Sequence, residues 1–415
     1  MFARSEYFRD GFTQTIHTQR IVIAAAAIGS FLLFLVIGAV QSQHNNRPQQ
    51  QQVVLSSARP LGTYDEEIVF TAIMLGKVSA EKGQYMVKSL IMHTSRPLSL
   101  HIMATLDARD LMEKRLALVK RPAYDVKVSF YIVTKDQIGQ RARRAGIHAE
   151  FNDAGEGINL KLLIHEILPK TVTKAIYLDT DAFFLTDPYL IWKDYMQIPD
   201  DRHVSLTHSG PKSDNTQLCS CVMGLNLVTM RSPEEPFLPS TLIPGSEKIA
   251  LGRAEVWNAS KTDPNGPWYG DQSLYWSMWR YWGSKKFGRL PRTWNLEGCH
   301  DQQNMQLDAE QDRTISKEIE NQSAWFGSDG SDVGPEGIFY PGILHFNCDE
   351  GFVENIFEED GYEHINSWGN ATKFVTQYKW VWLNRGTQDG SARLVTNTVE
   401  KPRFWDEVHA QEQSL

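Results

Sequence analysis

The sequence predicts an α/β protein built on a mostly parallel sheet, preceded by one transmembrane helix. Three observations carry this. Short, β-rich apolar runs alternate with helix-like stretches over most of the chain, the pattern of parallel strands joined by covering helices. One such run, Ala175-Ile176-Tyr177-Leu178, ends in Asp179-Thr180-Asp181, and a second apolar run, Ala182-Phe183-Phe184-Leu185, follows. Near the N-terminus lies a charge-free stretch of membrane-spanning length.

That stretch, Ile21 to Val40, reads IVIAAAAIGSFLLFLVIGAV. Twenty residues at about 1.5 Å each reach about 30 Å, the thickness of a bilayer's hydrocarbon core. A cleaved signal peptide has an apolar region of about 7–15 residues and a small-residue cleavage site, and Ala39-Val40-Gln41 does not fit one. A retained anchor is expected, with residues 1–20 as a cytoplasmic tail. Arg4, Arg9 and Arg20 before the span, against Arg47 and Arg59 after it, favour the N-terminus inside. The sequons Asn258-Ala259-Ser260, Asn321-Gln322-Ser323 and Asn370-Ala371-Thr372 all follow the span and agree with a lumenal body. Gln41 to Gln52, QSQHNNRPQQQQ, has no apolar area to bury, so residues 41–60 read as a flexible stem. Residues 61–390 form one large domain by length, and 391–415 a C-terminal tail.

Within the domain, Ile68 to Leu75 reads as a buried first strand. Gly83 to Thr94 reads as a helix with Tyr85, Val87, Leu90 and Ile91 on one stripe. Leu100 to Leu106 is a second strand, followed by a helical stretch from Ala108; Val126 to Val133 is a third. A helix from Gly157 to Leu168 leads into the Asp179 strand, and Val204 to His208 and Val222 to Val228 are later strands. No internal repeat is present. Tryptophans cluster between Trp257 and Trp294; aromatic faces stack on sugar rings, and more often pack in cores.

Net charge is −8. The one short basic cluster, RARR at 141–144, reads as a solvated helix face or a surface for an anionic ligand, so nucleic acid is not expected as a partner. The four cysteines, Cys219, Cys221, Cys299 and Cys348, all follow the span, an even count that permits disulfides in an oxidising compartment. A Cys219/Cys221 pair closes a very tight ring, so bridges to Cys299 and Cys348 are expected. Their spacing fits no standard zinc pattern.

In an extended segment Asp179 and Asp181 share a face and Thr180 takes the other. Two carboxylates at a strand's C-terminal end make a hard oxygen site suited to Mn²⁺ or Mg²⁺, where open α/β sheets bind ligands. An isolated Asp-x-Asp is common, and an Asp capping a turn with a second starting a helix is its ordinary meaning. The order of segments is more specific. Lys161-Leu162 is followed by AIYLDTDAFFLTDPYLIW, VMGLN, Gly270-Asp271-Gln272 and Ile343-Leu344-His345-Phe346-Asn347.

Over residues 66–350 this order resembles the family 8 retaining glycosyltransferases, which include glycogenin, lipooligosaccharide galactosyltransferases and glucoside xylosyltransferases. LEGCH after Trp294-Asn295 looks most like the xylosyltransferase branch. The resemblance implies a GT-A type nucleotide-sugar-binding fold. It implies Mn²⁺ (or Mg²⁺) held by Asp179, Asp181 and His345 against the diphosphate of a UDP-sugar donor. Lys161 and Asp271 would contact the donor sugar, and Gln272 would sit near the reacting carbon. Ala72, Ile73 and Gly76, with Thr180 beside the metal ligands, would hold the nucleotide, and Asp107 matches that site less closely. A lone buried histidine is more often structural than metal-bound, and Gly270-Asp271 is also a helix N-cap signal.

Two departures from the family pattern stand out. Cys219-Ser220-Cys221 replaces the usual Asn-Ser/Ala-Gly, removing a donor-sugar ligand and a conformationally permissive glycine. His345 to Gly351 lacks the lysine that ends the family's His-x-x-Gly-x-x-Lys. The expected protein is a metal-dependent retaining transferase of a hexosyl or pentosyl group from a UDP-sugar to a glycan or glycoprotein. It would be a single-pass type II protein of the Golgi membrane, or alternatively of the endoplasmic reticulum. The alternative is an inactive member of the fold that binds glycan or protein. A phosphotransferase or nuclease using the Asp pair is disfavoured, because no phosphate-binding Gly-rich loop or second carboxylate cluster is present.

Overall fold

The computed structural model describes residues 66–147, 156–208, 218–256, 271–297, 342–346, 375–386 and 391–414. The expected anchor and stem, the three sequons, Cys299 and Cys348 lie outside the described residues. Among the described residues no helix is long and apolar enough to cross a membrane.

The chain runs β1 (Ile68–Met74), α1 (Lys77–His93), β2 (Leu98–Ala104), α2 (Leu106–Leu116), β3 (Val126–Ile132), α3 (Lys135–Arg144), α4 (Glu156–Ile167), β4 (Lys174–Leu178) and β5 (Ala182–Phe184). Then follow α5 (Pro188–Met196), β6 (Val204–His208), β7 (Leu218–Asn226), α6 (Asp271–Trp282), β8 (Phe287–Arg289), β9 (Leu296–Glu297), β10 (Ile343–His345), β11 (Leu394–Val399) and α7 (Trp405–Gln413). Eight strands form one sheet in the order β11-β3-β2-β1-β4-β7-β6-β8. It is parallel except where β7 runs antiparallel between β4 and β6. The mixed α/β architecture with a mostly parallel sheet is as the sequence predicts.

Strand alternation divides the core. Phe70, Ala72, Ile176 and Leu178 face a cluster with Met86 and Leu90 of α1 and Met112 of α2. Ile73, Ala175 and Tyr177 face the other cluster, with Ile138 of α3, Leu163 and Ile167 of α4, and Tyr275 and Met278 of α6. The period-2 pattern of short apolar strands thus selects two helix layers. The β1–α1 junction turns at Gly76, whose φ of 85° suits a residue without Cβ. Capping fixes other helix starts: Thr134 and Gln137 form a capping box on α3. Asp187 caps α5 with Pro188 in its first turn.

A second sheet, β5-β10-β9, has three strands. Antiparallel β5/β10 pairing sets His345 opposite Ala182. This long-range pairing delivers the histidine to the Asp179–Asp181 segment.

Three expectations are corrected. Residues 391–415, expected as a tail, instead supply β11, paired parallel with β3, and the helix α7. Of the three arginines in the RARR segment only Arg143 is exposed. Arg141 is buried, pairs with Glu166 (Nε–Oε2 2.7 Å) and also meets Asp406 at 3.2 Å. Arg144 donates twice to Asp406, at 2.8 and 2.9 Å, and Ser240 donates to the same carboxylate at 2.7 Å. Buried arginines need carboxylate partners, and α7 brings one to α3. Finally, Cys219 and Cys221 are bonded to each other, with Cα atoms 5.3 Å apart. The register jumps from Leu206↔Met223 to Thr207↔Cys219, so Ser220, Cys221 and Val222 form a bulge without ladder partners on β6, although Val222 O accepts from Thr207 Oγ1 at 3.2 Å. The bond forms within this bulge, where the sequence, weighing only the tightness of the ring, expects none.

Asp406 is fully buried and unites α3, α7 and Ser240. Asp406→Ala leaves two arginines without it and is expected to lower the unfolding free energy by about 3–5 kcal/mol. Glu412→Ala, which breaks an exposed pair with Lys170, should leave the denaturation midpoint unchanged. Urea titrations of both variants check this.

Acid should also destabilise the fold. Burial lowers the pKa of His101 and of His203 from 6.5 to about 4, and pushes that of His165 well down. Between these values the unfolded chain takes up protons that the folded chain refuses. Stability therefore falls as pH drops from 6.5 toward 4, by about 1.4 kcal/mol per pH unit per histidine. Denaturation midpoints across that range measure the slope, and a flat profile would contradict it.

Candidate active site

Strand β4 ends at Leu178, and the chain then turns instead of continuing extended: Ala182 N–H donates to the Asp179 carbonyl at 3.2 Å. The turn is pinned at both ends. Asp179 N–H donates to Cys221 O of β7 at 2.9 Å, and Phe346 N–H donates to Asp181 O at 3.2 Å. The carboxylates of Asp179 and Asp181 consequently converge with the His345 ring, one ligand atom of each lying within 4.8 Å of the others. His345 Nε2 is 3.4 Å from Asp181 and 3.9 Å from Asp179. The convergence expected from strand alternation is present, but a turn produces it. Behind the turn, α1 approaches so closely that a Cβ on Gly83 would lie 2.5 Å from Met74 Cε and 3.2 Å from Thr180 Cγ2.

Beside the turn, at the carboxyl ends of β1 to β4, opens a cavity of about 640 Å³. Ile73, Gly76, Asp107, Lys161, Asp179, Thr180 and Asp271 all line it. Ala72 does not: it is fully buried with Phe70 in the core beneath α1. Asp181 and His345 adjoin the cavity through Asp179 and are not part of its wall, and Gln272 is half-buried one residue into α6.

Lys161 of α4 sits between two carboxylates. Its Nζ is 3.1 Å from Asp179 Oδ1 and 3.1 Å from Asp271 Oδ2. Burial acts to lower its pKa, but the two aspartates outweigh burial and the pKa is raised. Burial raises the pKa of Asp179, with Lys161 opposing and Asp181 adding repulsion. Burial acts the same way on Asp181, but His345 overcomes it and the net shift is downward.

Three side chains in this constellation escaped the sequence reading. Tyr177 OH donates to Asp179 Oδ1 at 2.5 Å. Ser220 Oγ donates to Asp271 Oδ2 at 2.5 Å. Thr105 Oγ1 accepts from Gly76 N–H at 2.8 Å and donates to Asp107 at 2.5 Å. Tyr177, two residues before Asp179 on β4, was legible from period 2 alone; Ser220 and Thr105 depend on tertiary placement.

The donor set fits a hard divalent cation. Two partly exposed carboxylates and an imidazole span a distance that one ion can bridge, and Mn²⁺ and Mg²⁺ favour such oxygen-rich sites.

No family model matches the chain. A stretch of 144 residues, 34% of the chain, is 28% identical to the human xylosyl- and glucuronyltransferase LARGE2 and spans 19% of that protein's length. Among solved structures, apo mouse xyloside xylosyltransferase 1 superposes with a TM-score of 0.48 at 16% identity, covering 68% of this chain and 98% of that one. Galactosyltransferase LgtC, solved with donor and acceptor sugar analogues, gives 0.44 at 12%, covering 75% and 95%. All three of these proteins are glycosyltransferases by name.

Lys161 holds Asp179 where a cation would compete for it. Lys161→Met is therefore expected to tighten Mn²⁺ binding by about tenfold, by removing one like charge from a partly exposed site. Asp179→Asn and His345→Gln should each weaken it by more than about tenfold. Loss of the free-Mn²⁺ electron paramagnetic resonance signal on titration reads all three. Weaker binding in Lys161→Met would mean that the lysine organises the ligands and does not compete with the metal.

Proposed function

We propose that the protein is a metal-dependent glycosyltransferase that moves a sugar from a UDP-sugar to a glycan or glycoprotein with retention at the anomeric carbon. The observation that carries this reading is the convergence of Asp179, Asp181 and His345 beside a cavity that also presents Lys161 and Asp271. The similarity to a xylosyl- and glucuronyltransferase over 144 residues supports it and ranks UDP-xylose and UDP-glucuronic acid first among donors to test. The uncharged run at 21–40 and the sequons support a type II anchor in the Golgi or endoplasmic reticulum.

In this mechanism Asp179, Asp181 and His345 would hold the cation, Mn²⁺ or Mg²⁺. A bound divalent cation would supply Lewis-acid stabilisation of the charge left on the departing diphosphate. The protein's own groups bind and orient the sugar. Ile73 and Gly76, which line the cavity, would contact the nucleotide. Lys161 carries a fixed positive charge, because its two aspartates keep it protonated. Asp271 accepts from Ser220 and pairs with Lys161, which orients its carboxylate toward sugar hydroxyls. Gln272, next in α6, would offer its amide oxygen to positive charge developing at the anomeric carbon. None of these residues needs to move a proton for the leaving group to depart.

A second reading, an inactive glycan- or protein-binding member of the fold, is favoured by the Cys219–Cys221 bond. It lies where the resemblance places a donor-binding Asn and a flexible Gly. Purified protein incubated with Mn²⁺ and each UDP-sugar separates the two. Turnover supports the transferase; UDP binding without turnover of any UDP-sugar supports the binding module.

Asp179→Ala and Asp181→Ala should each reduce turnover more than about 100-fold, the scale of several kcal/mol of transition-state stabilisation. Asp271→Asn should keep UDP–Mn²⁺ affinity within a few-fold, by calorimetry, while turnover falls about 100-fold, because its contacts are made to the sugar and not to UDP. Equal turnover in wild type and Asp271→Asn would remove that residue from the mechanism.

A further inference from the structure

His345 belongs to two candidate metal groups. One is the carboxylate set above. The other is Cys219, Cys221 and His345: one ligand atom from each lies within 4.8 Å of the others, and all three residues are buried. The cysteines are joined to each other, and no described cysteine is free. Placement on β7 explains the grouping. Cys219 and Cys221 lie together at the register shift of β7, with Cα atoms 5.3 Å apart, while Ser220 between them donates to Asp271. Cys221 Sγ lies 3.2 Å from Asn295 Oδ1, and the Cys221 carbonyl accepts from Asp179 N–H. The pair is thus built into the wall of the carboxylate site.

We propose that reduction of the Cys219–Cys221 bond creates a thiolate–imidazole site for Zn²⁺, formed by Cys219, Cys221 and His345, which takes His345 from Asp179 and Asp181 and switches the hard-cation site off. The zinc site stands without the sugar-transfer reading; only the competition for His345 rests on that reading's metal ligands.

The chemistry balances with a dithiol as reductant. Its thiolate attacks one cysteine sulfur and the S–S bond breaks. The resulting mixed disulfide is resolved by the reductant's second thiol, which leaves as a disulfide. Two electrons have passed to the pair, and Cys219 and Cys221 are left as thiols. Zn²⁺ binding then releases both protons, because the ligand is the thiolate. Two thiolates and one imidazole make a three-ligand zinc site with a fourth position open, with bonds of about 2.0–2.3 Å. Soft sulfur favours zinc, whereas Mn²⁺ and Mg²⁺ favour the oxygens of Asp179 and Asp181. Because a single imidazole serves both groups, the oxidation state of β7 would decide which metal the protein holds.

The test uses the full chain, oxidised or reduced by a dithiol that is then removed under anaerobic conditions, with Co²⁺ as a spectroscopic substitute for zinc. Reduced wild type should take up one Co²⁺ with a thiolate-to-cobalt charge-transfer band, displaced by Zn²⁺. Oxidised wild type and the Cys219→Ser/Cys221→Ser double variant should show none. Should the double variant fail to fold, His345→Gln with reduced cysteines serves, and its band should be lost or altered. Zinc should weaken Mn²⁺ binding to reduced protein by at least about tenfold, the scale of losing one supporting group. Circular dichroism establishes that reduced protein is folded. No band in folded reduced protein, a band unchanged by His345→Gln or by denaturant, or Mn²⁺ affinity indifferent to zinc would each overturn the proposal. Failure of oxidised protein to bind Mn²⁺ would instead sink the carboxylate site, and the cobalt band would still decide the zinc site.

Discussion

The candidate site depends on how one three-residue turn is clamped. Asp179-Thr180-Asp181 joins β4 of the large sheet to β5 of the small one, and each end is tied to a different sheet: Asp179 N–H to Cys221 O of β7, and Asp181 O to Phe346 N–H beside β10. A free turn bearing two carboxylates would splay them to relieve repulsion. Here the backbone cannot follow, because both flanking strands are buried and paired. The carboxylates stay close, and the site must supply positive charge. The Lys161 ammonium supplies it on one side of Asp179, and the His345 ring lies near both aspartates.

This charge balance makes the arrangement a poised site more than a static ion pair. Lys161 bridges Asp179 and Asp271, so the two halves of the proposed chemistry, cation binding and sugar binding, share one neutralising group. A cation at Asp179 would compete with Lys161 for that carboxylate. Tyr177, from within β4, donates to the same carboxylate and adds a third group that fixes its orientation.

Much of the fold was legible because strand burial writes itself into composition. The first four strands are short apolar runs flanked by polar breaks, and Val204–His208 was read to the residue. The site's order was legible as well: Lys161, Asp179, Asp181, Asp271 and His345 do come together. What the sequence hid has a common cause, contacts between segments far apart in the chain. Arg141 and Arg144 read as solvated because their partners, Glu166 and Asp406, sit 25 and 262 residues away. The last 24 described residues read as a tail because β11 has a largely exposed face and becomes a strand only by pairing with β3. Ala72 was placed with the ligand-facing residues, whereas alternation along β1 turns its side chain to the core and gives the cavity to Ile73.

The Cys-Ser-Cys segment shows the same limit at its sharpest. Spacing alone argued against bonding Cys219 to Cys221, since a bond between cysteines two apart closes a very tight ring. The bond sits at the register shift opposite Thr207, and nothing local in the sequence announces that irregularity. Within the irregular segment Ser220 donates to Asp271, and the Cys221 carbonyl accepts from Asp179 N–H as the β4/β7 ladder runs on past Leu178↔Val222. This segment of β7 therefore touches two of the three aspartates that line the cavity, Asp179 and Asp271. Those contacts come from the Ser220 side chain and the Cys221 backbone, and neither cysteine side chain makes them. A change in the covalent state of this segment would act on Asp179 and Asp271 through contacts of a single residue each, without any rearrangement of the sheet.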